Sequence, residues 1–301
     1  MKKKNQPVSA IRDTGRDKVF YTVNTIILLG VFLLIAYPLY FVVIASVSDP
    51  LKVSSGLVTW RPVGFNLAGY KKILQFERIW IGYRNTLLYA IGSAIISVSL
   101  TVTLAYPLSR RDFKLRNPIM FMVAFTMFFG GGMIPTYLVI NEMGLLNTIW
   151  AVLLPGAISA NHVIIVRTNY QSIPSELTEA AAIDGATNFK AFWHIILPLS
   201  KAVVAVITLY VVSGMWNTYF GPMIYLRDQS KYPLQLFLRQ ILLQNNMEGA
   251  DIDASSAAEQ GQIAQLIKYG VIIVASVPMM MLYPFIQKYF VKGVMIGSIK
   301  G

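Results

Sequence analysis

Apolar residues run along this chain for roughly twenty positions at a time, about the length a helix needs to cross some 30 Å of hydrocarbon. The runs fall at about Val19–Ile44, Asn85–Pro107, Ile119–Ile140, Ile149–Arg167, Val203–Leu226 and Ile267–Phe290. The pattern therefore predicts an all-α integral membrane protein with about six transmembrane helices. The third run is interrupted by Gly130–Gly132 and Pro135, which disfavour an unbroken helix there. Long polar stretches separate the first run from the second, the fourth from the fifth and the fifth from the sixth. There is no short-period repeat and no low-complexity tract, so one membrane domain, residues 1–301, accounts for the chain.

Composition agrees. Hydrophobic residues make up 55% of the chain and charged residues 13%, against about 25% charged in soluble domains. Mean hydropathy is +0.55. The formal charge of +12 reads as membrane topology, not nucleic-acid binding, because Lys and Arg collect in cytoplasmic segments. An even number of spans puts both termini on one side. The expected cytoplasmic parts are the basic N-tail 1–18, the loop Ser109–Asn117, the region 168–201 and the tail 291–301. On that arrangement 16 of the 26 Lys and Arg are cytoplasmic. The dense loop "SRRDFKLRN" decides the orientation best, since clustered charge in short loops sets it. The first apolar run is longer than a signal core and lacks a small-residue cleavage site, so it is expected to stay as a membrane helix.

Several chemistries have no support. The chain has no cysteine, which excludes disulfides, thiolate metal sites and Cys nucleophiles. It contains no HExxH, GxSxG or GxxxxGK[ST] and no metal-ligand cluster, and its histidines are His162 and His194. Without a P-loop it is not itself an ATPase, and an enzyme is not expected. A secondary transporter would carry buried ionisable residues and two related halves, and neither is visible. A membrane scaffold would explain the hydrophobicity alone.

One moderately polar stretch stands out, "TEAAAIDGATNFKAFWHIILP" (Thr178–Pro198). Ser175 is a candidate N-cap, with Glu176 and Glu179 where the helix dipole favours carboxylates. "EAAA" has high helix propensity, and Gly185 stops the helix by a left-handed turn. Thr187 or Asn188 caps a second helix. Phe189, Phe192, Trp193 and Ile196 then share one face, and Pro198 ends it. The result is a helix–Gly–helix elbow, small on one arm and aromatic on the other. Physics alone leaves two uses open: docking another protein, or lying on lipid headgroups.

The spacing Glu179-Ala180-Ala181, Asp184-Gly185, then Ile195-x-Leu197-Pro198 resembles the EAA loop of ABC importer permeases. The resemblance extends along nearly the whole chain. It is closest to the MalG-like carbohydrate permeases of the LplC/YtcP-like group, through "YPLSRRDFK", "TMFFGGGMIPTYL", "YPLQLFLRQIL" and "YPFIQKYFVKGVMIGSIKG". "DGATNF" departs slightly from relatives that read DGAN followed by an acidic residue.

That resemblance implies a type I ABC importer permease fold in a bacterial cell membrane. It implies a second, non-identical permease subunit, two ATPase subunits and an extracellular solute-binding protein. The elbow becomes a coupling helix seated in a groove of the ATPase: Glu179 pairs with a basic group, Ala180 and Ala181 allow close packing, and Gly185 sets the bend. No cofactor is expected in this chain; ATP and magnesium belong to the partner ATPase. The solute is a carbohydrate, an oligosaccharide or polysaccharide fragment.

Broken helix at membrane depth is tolerated where it lines a cavity, and aromatics and amides suit sugar faces and hydroxyls. Tyr137, Trp216, Asn217 and Tyr219 are therefore substrate-path candidates, with interhelix packing as the competing role. The outer stretches, about Ser48–Arg84 and Arg227–Lys268, are where a binding protein would dock, and the short C-tail could reach the ATPase.

Overall fold

The computed structural model describes residues 14–247, 267–281 and 284. Most of the basic N-tail, the later part of the expected outer stretch Arg227–Lys268, the end of the sixth apolar run and the C-tail lie outside the described residues. Those described are helical, with no strand among them.

Helix α1 (Gly15–Ser46) starts on a capping box. The Thr14 side chain accepts from the Asp17 amide, and the Asp17 carboxylate accepts from the Thr14 amide. The helix is apolar on every face, yet only Ile44, Ala45 and Ser46, at its far end, are buried. Such a helix needs lipid or another chain to cover it. Short helices α2 (Pro50–Ser54) and α3 (Ala68–Gln75) follow. The Tyr40 hydroxyl donates to the Trp60 carbonyl at 2.7 Å, tying α1 to the segment between them.

Helix α4 (Glu77–Ser109) is the strut of the molecule. It begins eight residues before the apolar run, with Ile79 and Gly82 of "ERIWIGYR" buried against the bundle. Thr86, Ala90, Ser93, Ser97, Thr101, Ala105 and Leu108 are buried along it, three or four residues apart. That spacing is one helical face, and its mostly small side chains let neighbouring backbones approach closely.

The third apolar run is not one straight span. It forms α5 (Arg116–Phe128) and α6 (Met133–Glu142), bent by 116° at the glycines, where Gly132 holds φ +81°. The fourth run is also broken, into α7 (Trp150–Leu153) and α8 (Ala160–Gln171). Pro155 and Gly156 fall in the gap; a proline there has no amide to donate. The elbow comprises α9 (Ser175–Ile183) and α10 (Asn188–Leu199), and α11 (Lys201–Trp216) leaves it at 78°. Then come α12 (Phe220–Tyr225), α13 (Leu234–Met247) and α14 (Ile267–Met281). Among the described residues, α1 and α4 alone are single helices long and apolar enough to cross a membrane; the bent pairs α5/α6 and α10/α11 add two more if each counts as one span. The interruption expected in the third run is present, the fourth run is broken as well, and the end of the sixth lies outside the described residues.

Helix α4 packs against α8, α11 and α13. Near its start, Ile79 joins Ile73, Trp216, Leu234, Leu238 and Val271 in one core. Near its end, Val102 and Ala105 join Val166, Tyr170, Phe192, Ile196 and Ile207 in another. At 1.5 Å per residue the two cores lie about 40 Å apart along α4.

Candidate functional site

The elbow is built as its residues dictate. Pro174, with ψ 131°, precedes α9, and Ser175 is its first helical residue, so Ser175 does not cap it. The arm closes in a Schellman turn: the Ala186 amide donates to Ala181 O at 2.8 Å and the Gly185 amide to Ala182 O at 3.1 Å. Gly185 takes φ +78° there, a left-handed conformation that costs other residues about 1–2 kcal/mol. Thr187 caps α10, accepting from the Lys190 amide at 3.3 Å.

The aromatic stripe is divided between two tasks. Phe192 and Ile196 are buried against α4, α8 and α11, whereas Phe189 and Trp193 are exposed. A π-helical turn runs over Phe192–Ile196, in which the Leu197 amide donates to Phe192 O. The wider turn precedes Pro198, which has no amide and would crowd the carbonyl four residues back. Pro198 therefore does not end the helix; the bend comes at Ser200.

Phe192 sits 5.0 Å from the Tyr106 ring and 6.5 Å from that of Tyr170. Glu179, Ala180, Asp184, Gly185 and Pro198 are exposed, and Ala181, Ile195 and Leu197 are half-buried. The carboxylate and small residues of the first arm thus point away from the bundle while the second arm is anchored in it.

Residues that the sequence did not single out complete the seat. Arg110, the residue after α4, donates to both Asp112 carboxylate oxygens at 2.8 and 2.7 Å, to the Tyr106 hydroxyl at 3.2 Å and to Asn188 Oδ1. The Asp112 bond holds the guanidinium pKa above its ordinary value, and the same bond lowers that of the Asp112 carboxyl. Arg167 donates to Leu108 O at 2.9 Å. A cavity of about 540 Å³ lies beside Arg110, lined also by Thr103, Pro107, Phe113 and Phe189. The signal in the sequence was Tyr106 and Arg110, four apart; both lie in the "YPLSRRDFK" stretch, where Arg110 counted as a topological charge and as part of the resemblance, with no role of its own.

The substrate-path candidates are not gathered into one site. Trp216 is buried, and its indole donates to Ala275 O at 3.1 Å. Asn217 is exposed and bonds back to Ser213 O at 2.8 Å. Tyr219 is exposed, with the Arg239 guanidinium 5.4 Å from its ring. Tyr137 is half-buried on α6. The break before α6 does border a cavity, of about 400 Å³, but Pro135, Val139, Met143, Trp150 and Leu154 give it an apolar wall and none of the four candidates lines it. His162 stacks on Tyr210 with centroids 6.1 Å apart.

Residues 16–296 match the family of binding-protein-dependent transport system inner membrane components. The chain belongs to that family. It is a multi-pass permease of the inner-membrane type. The permease is 36% identical to protein LplC of Bacillus subtilis over 98% of its own length and 99% of that protein's. It is 40% identical to the polygalacturonan/rhamnogalacturonan transport system permease protein YtcP of the same organism, over 89% and 94%. A chain in the crystal structure of a bacterial ABC transporter involved in import of the acidic polysaccharide alginate superposes with a TM-score of 0.83 at 31% identity, covering 93% of the permease and all of that chain. Thus the permease has an ABC importer permease fold, and its elbow lies in a chain of the architecture the EAA spacing implied.

Proposed function

We propose that this permease is one of two non-identical membrane subunits of a binding-protein-dependent ABC importer, forming half of the path for a carbohydrate of oligosaccharide size. The observation that carries the reading is the seat of the elbow. A first arm with exposed Glu179, Ala180 and Asp184 projects from the bundle, and a second arm is locked into it by Phe192 and Ile196. A piece presented outward yet anchored inward can receive force and pass it on.

In this reading the elbow faces the cytoplasm, together with both termini, and sits in a groove of one of the two ATPase subunits. ATP and magnesium act in those subunits. Glu179 meets a basic group of the groove, Ala180 and Ala181 allow close approach, and Gly185 holds the bend. Ile195, Leu197 and Pro198 shape the exit into α11. ATP-driven closure brings the elbows together and turns the bundle outward, and an extracellular solute-binding protein delivers the sugar. The named substrates of YtcP and of the alginate importer support a carbohydrate cargo.

Purification of the tagged chain from native membranes in mild detergent, followed by mass spectrometry of its stoichiometric partners, tests this. A second permease and an ATPase are expected. A folded chain that stays alone under every nucleotide condition would return the elbow to the headgroup-lying alternative.

A further inference from the structure

We infer that Arg110 is a positioning residue that clamps the second arm of the elbow to α4, so that the arm and the strut move as one body. The inference rests on the importer reading above and adds to it the part through which force enters the bundle. Four donated bonds of one guanidinium, which has five N–H groups, are used on three pieces of chain. Tyr106 lies on the last turns of α4, Asp112 on the turn after it, and Asn188 is the first residue of α10. A guanidinium has only donors, so the Asn188 amide must present its oxygen to it. The fork geometry on Asp112 fixes the plane of the guanidinium, which leaves its remaining nitrogen aimed at the elbow.

The clamp supplements the apolar anchor at a different place. Phe192 and Ile196 hold the arm from its middle onward. Its beginning, next to the Gly185 bend, has Asn188 and Phe189 exposed beside the cavity. Without Arg110 the arm could pivot about Phe192 into that space. With it, a displacement arriving through α9 moves α4, whose other end is bonded to the segment before α13: Asn85 donates to Ser230 O and Tyr232 O, and the Leu234 amide donates to Thr86 Oγ1. The strut is thus gripped at both ends.

The test uses the assembled importer reconstituted in lipid, with ATP hydrolysis and solute uptake measured together. Arg110→Ala and Asn188→Ala should each raise ATP consumed per solute imported by about tenfold, the scale of losing one charge-assisted bond, while both subunit types still co-purify. The double variant should be no worse than either single one. Arg110→Lys should not rescue, because an ammonium cannot fork, and Asn188→Asp should keep wild-type stoichiometry. The chain has no cysteine, so spin labels at Lys114→Cys and Lys190→Cys report the clamp directly: their distance distribution should be narrow in the parent complex and broad with Arg110→Ala. Parallel loss of both rates, or unchanged stoichiometry and distances, overturns the clamp with the importer reading intact. A parent chain that recruits no ATPase overturns the importer reading itself, and the force-passing role falls with it.

Discussion

Gly185 shows how much one residue decides. A Cβ there would meet nothing within 4 Å, yet the backbone stands at φ +78°. Any effect of Gly185→Ala is therefore conformational, about 1–2 kcal/mol against the turn, and Gly185→Asn should cost less because Asn tolerates that region. Gly185→Pro cannot adopt the turn at all, since proline holds φ near −65°. It should insert normally but lose uptake and ATPase coupling; normal uptake by this variant would remove Gly185 from the mechanism. Trp216 poses the opposite question, packing against path. Trp216→Phe deletes the indole's bond to Ala275 O, a carbonyl that stays within helix α14, and leaves the volume of the larger ring unfilled, which should cost about 1–2 kcal/mol and lower the thermal midpoint in detergent. An unchanged midpoint with lost uptake would instead assign the indole to the solute.

At the level of elements, helix packing turns on where a neighbour's backbone comes close. A Cβ on Gly82 would stand 2.9 Å from the Leu234 Cα, a contact with backbone, whereas on Gly92 it would stand 3.1 Å from the end of the Leu153 side chain. A side chain can swing aside; the start of a helix cannot. Gly82→Ala should therefore destabilise by about 1–3 kcal/mol, the scale of overpacking, and Gly92→Ala by clearly less. Paired thermal melts would read the difference, and equal melts would show that α13 yields as easily as a side chain. The π turn in α10 is a similar local solution. It absorbs Pro198, while packing against α4, α8 and α11 takes Phe192 and Ile196 and leaves Phe189 and Trp193 outside, a division of one helical face that no local pattern marks.

At the scale of the whole molecule, α1 presents a long apolar surface that the rest of the described chain does not cover. Leu34, near the middle of that helix, is 75% exposed within the chain, which in a bilayer means contact with lipid or with a partner subunit. Leu34→Asp should cost roughly 3–4 kcal/mol of insertion free energy on the translocon scale. A protease-protection assay of the Ser48–Arg84 stretch should then find it on the N-tail's side of the membrane, and an unchanged side would mean that α1 lies elsewhere than across the membrane.

The sequence by itself determined that the chain is helical, belongs in a membrane, and carries an elbow bent at Gly185 and recapped at Thr187 or Asn188, between which the structure chose Thr187. These follow from local physics: run length, propensity, a glycine's freedom and a hydroxyl's reach. It showed the break at Gly130–Gly132, because three glycines and a proline interrupt the helix locally. It did not show the one at Pro155–Gly156, because hydropathy reads the same along a broken and an unbroken apolar run, and the bend angles emerged only in the folded chain. The tertiary structure alone decided that α4 is the strut, that Trp216 spends its indole on Ala275, and that Arg110 reaches Asn188, 78 residues away. Contacts at such separation depend on how helices cross, which no local pattern encodes.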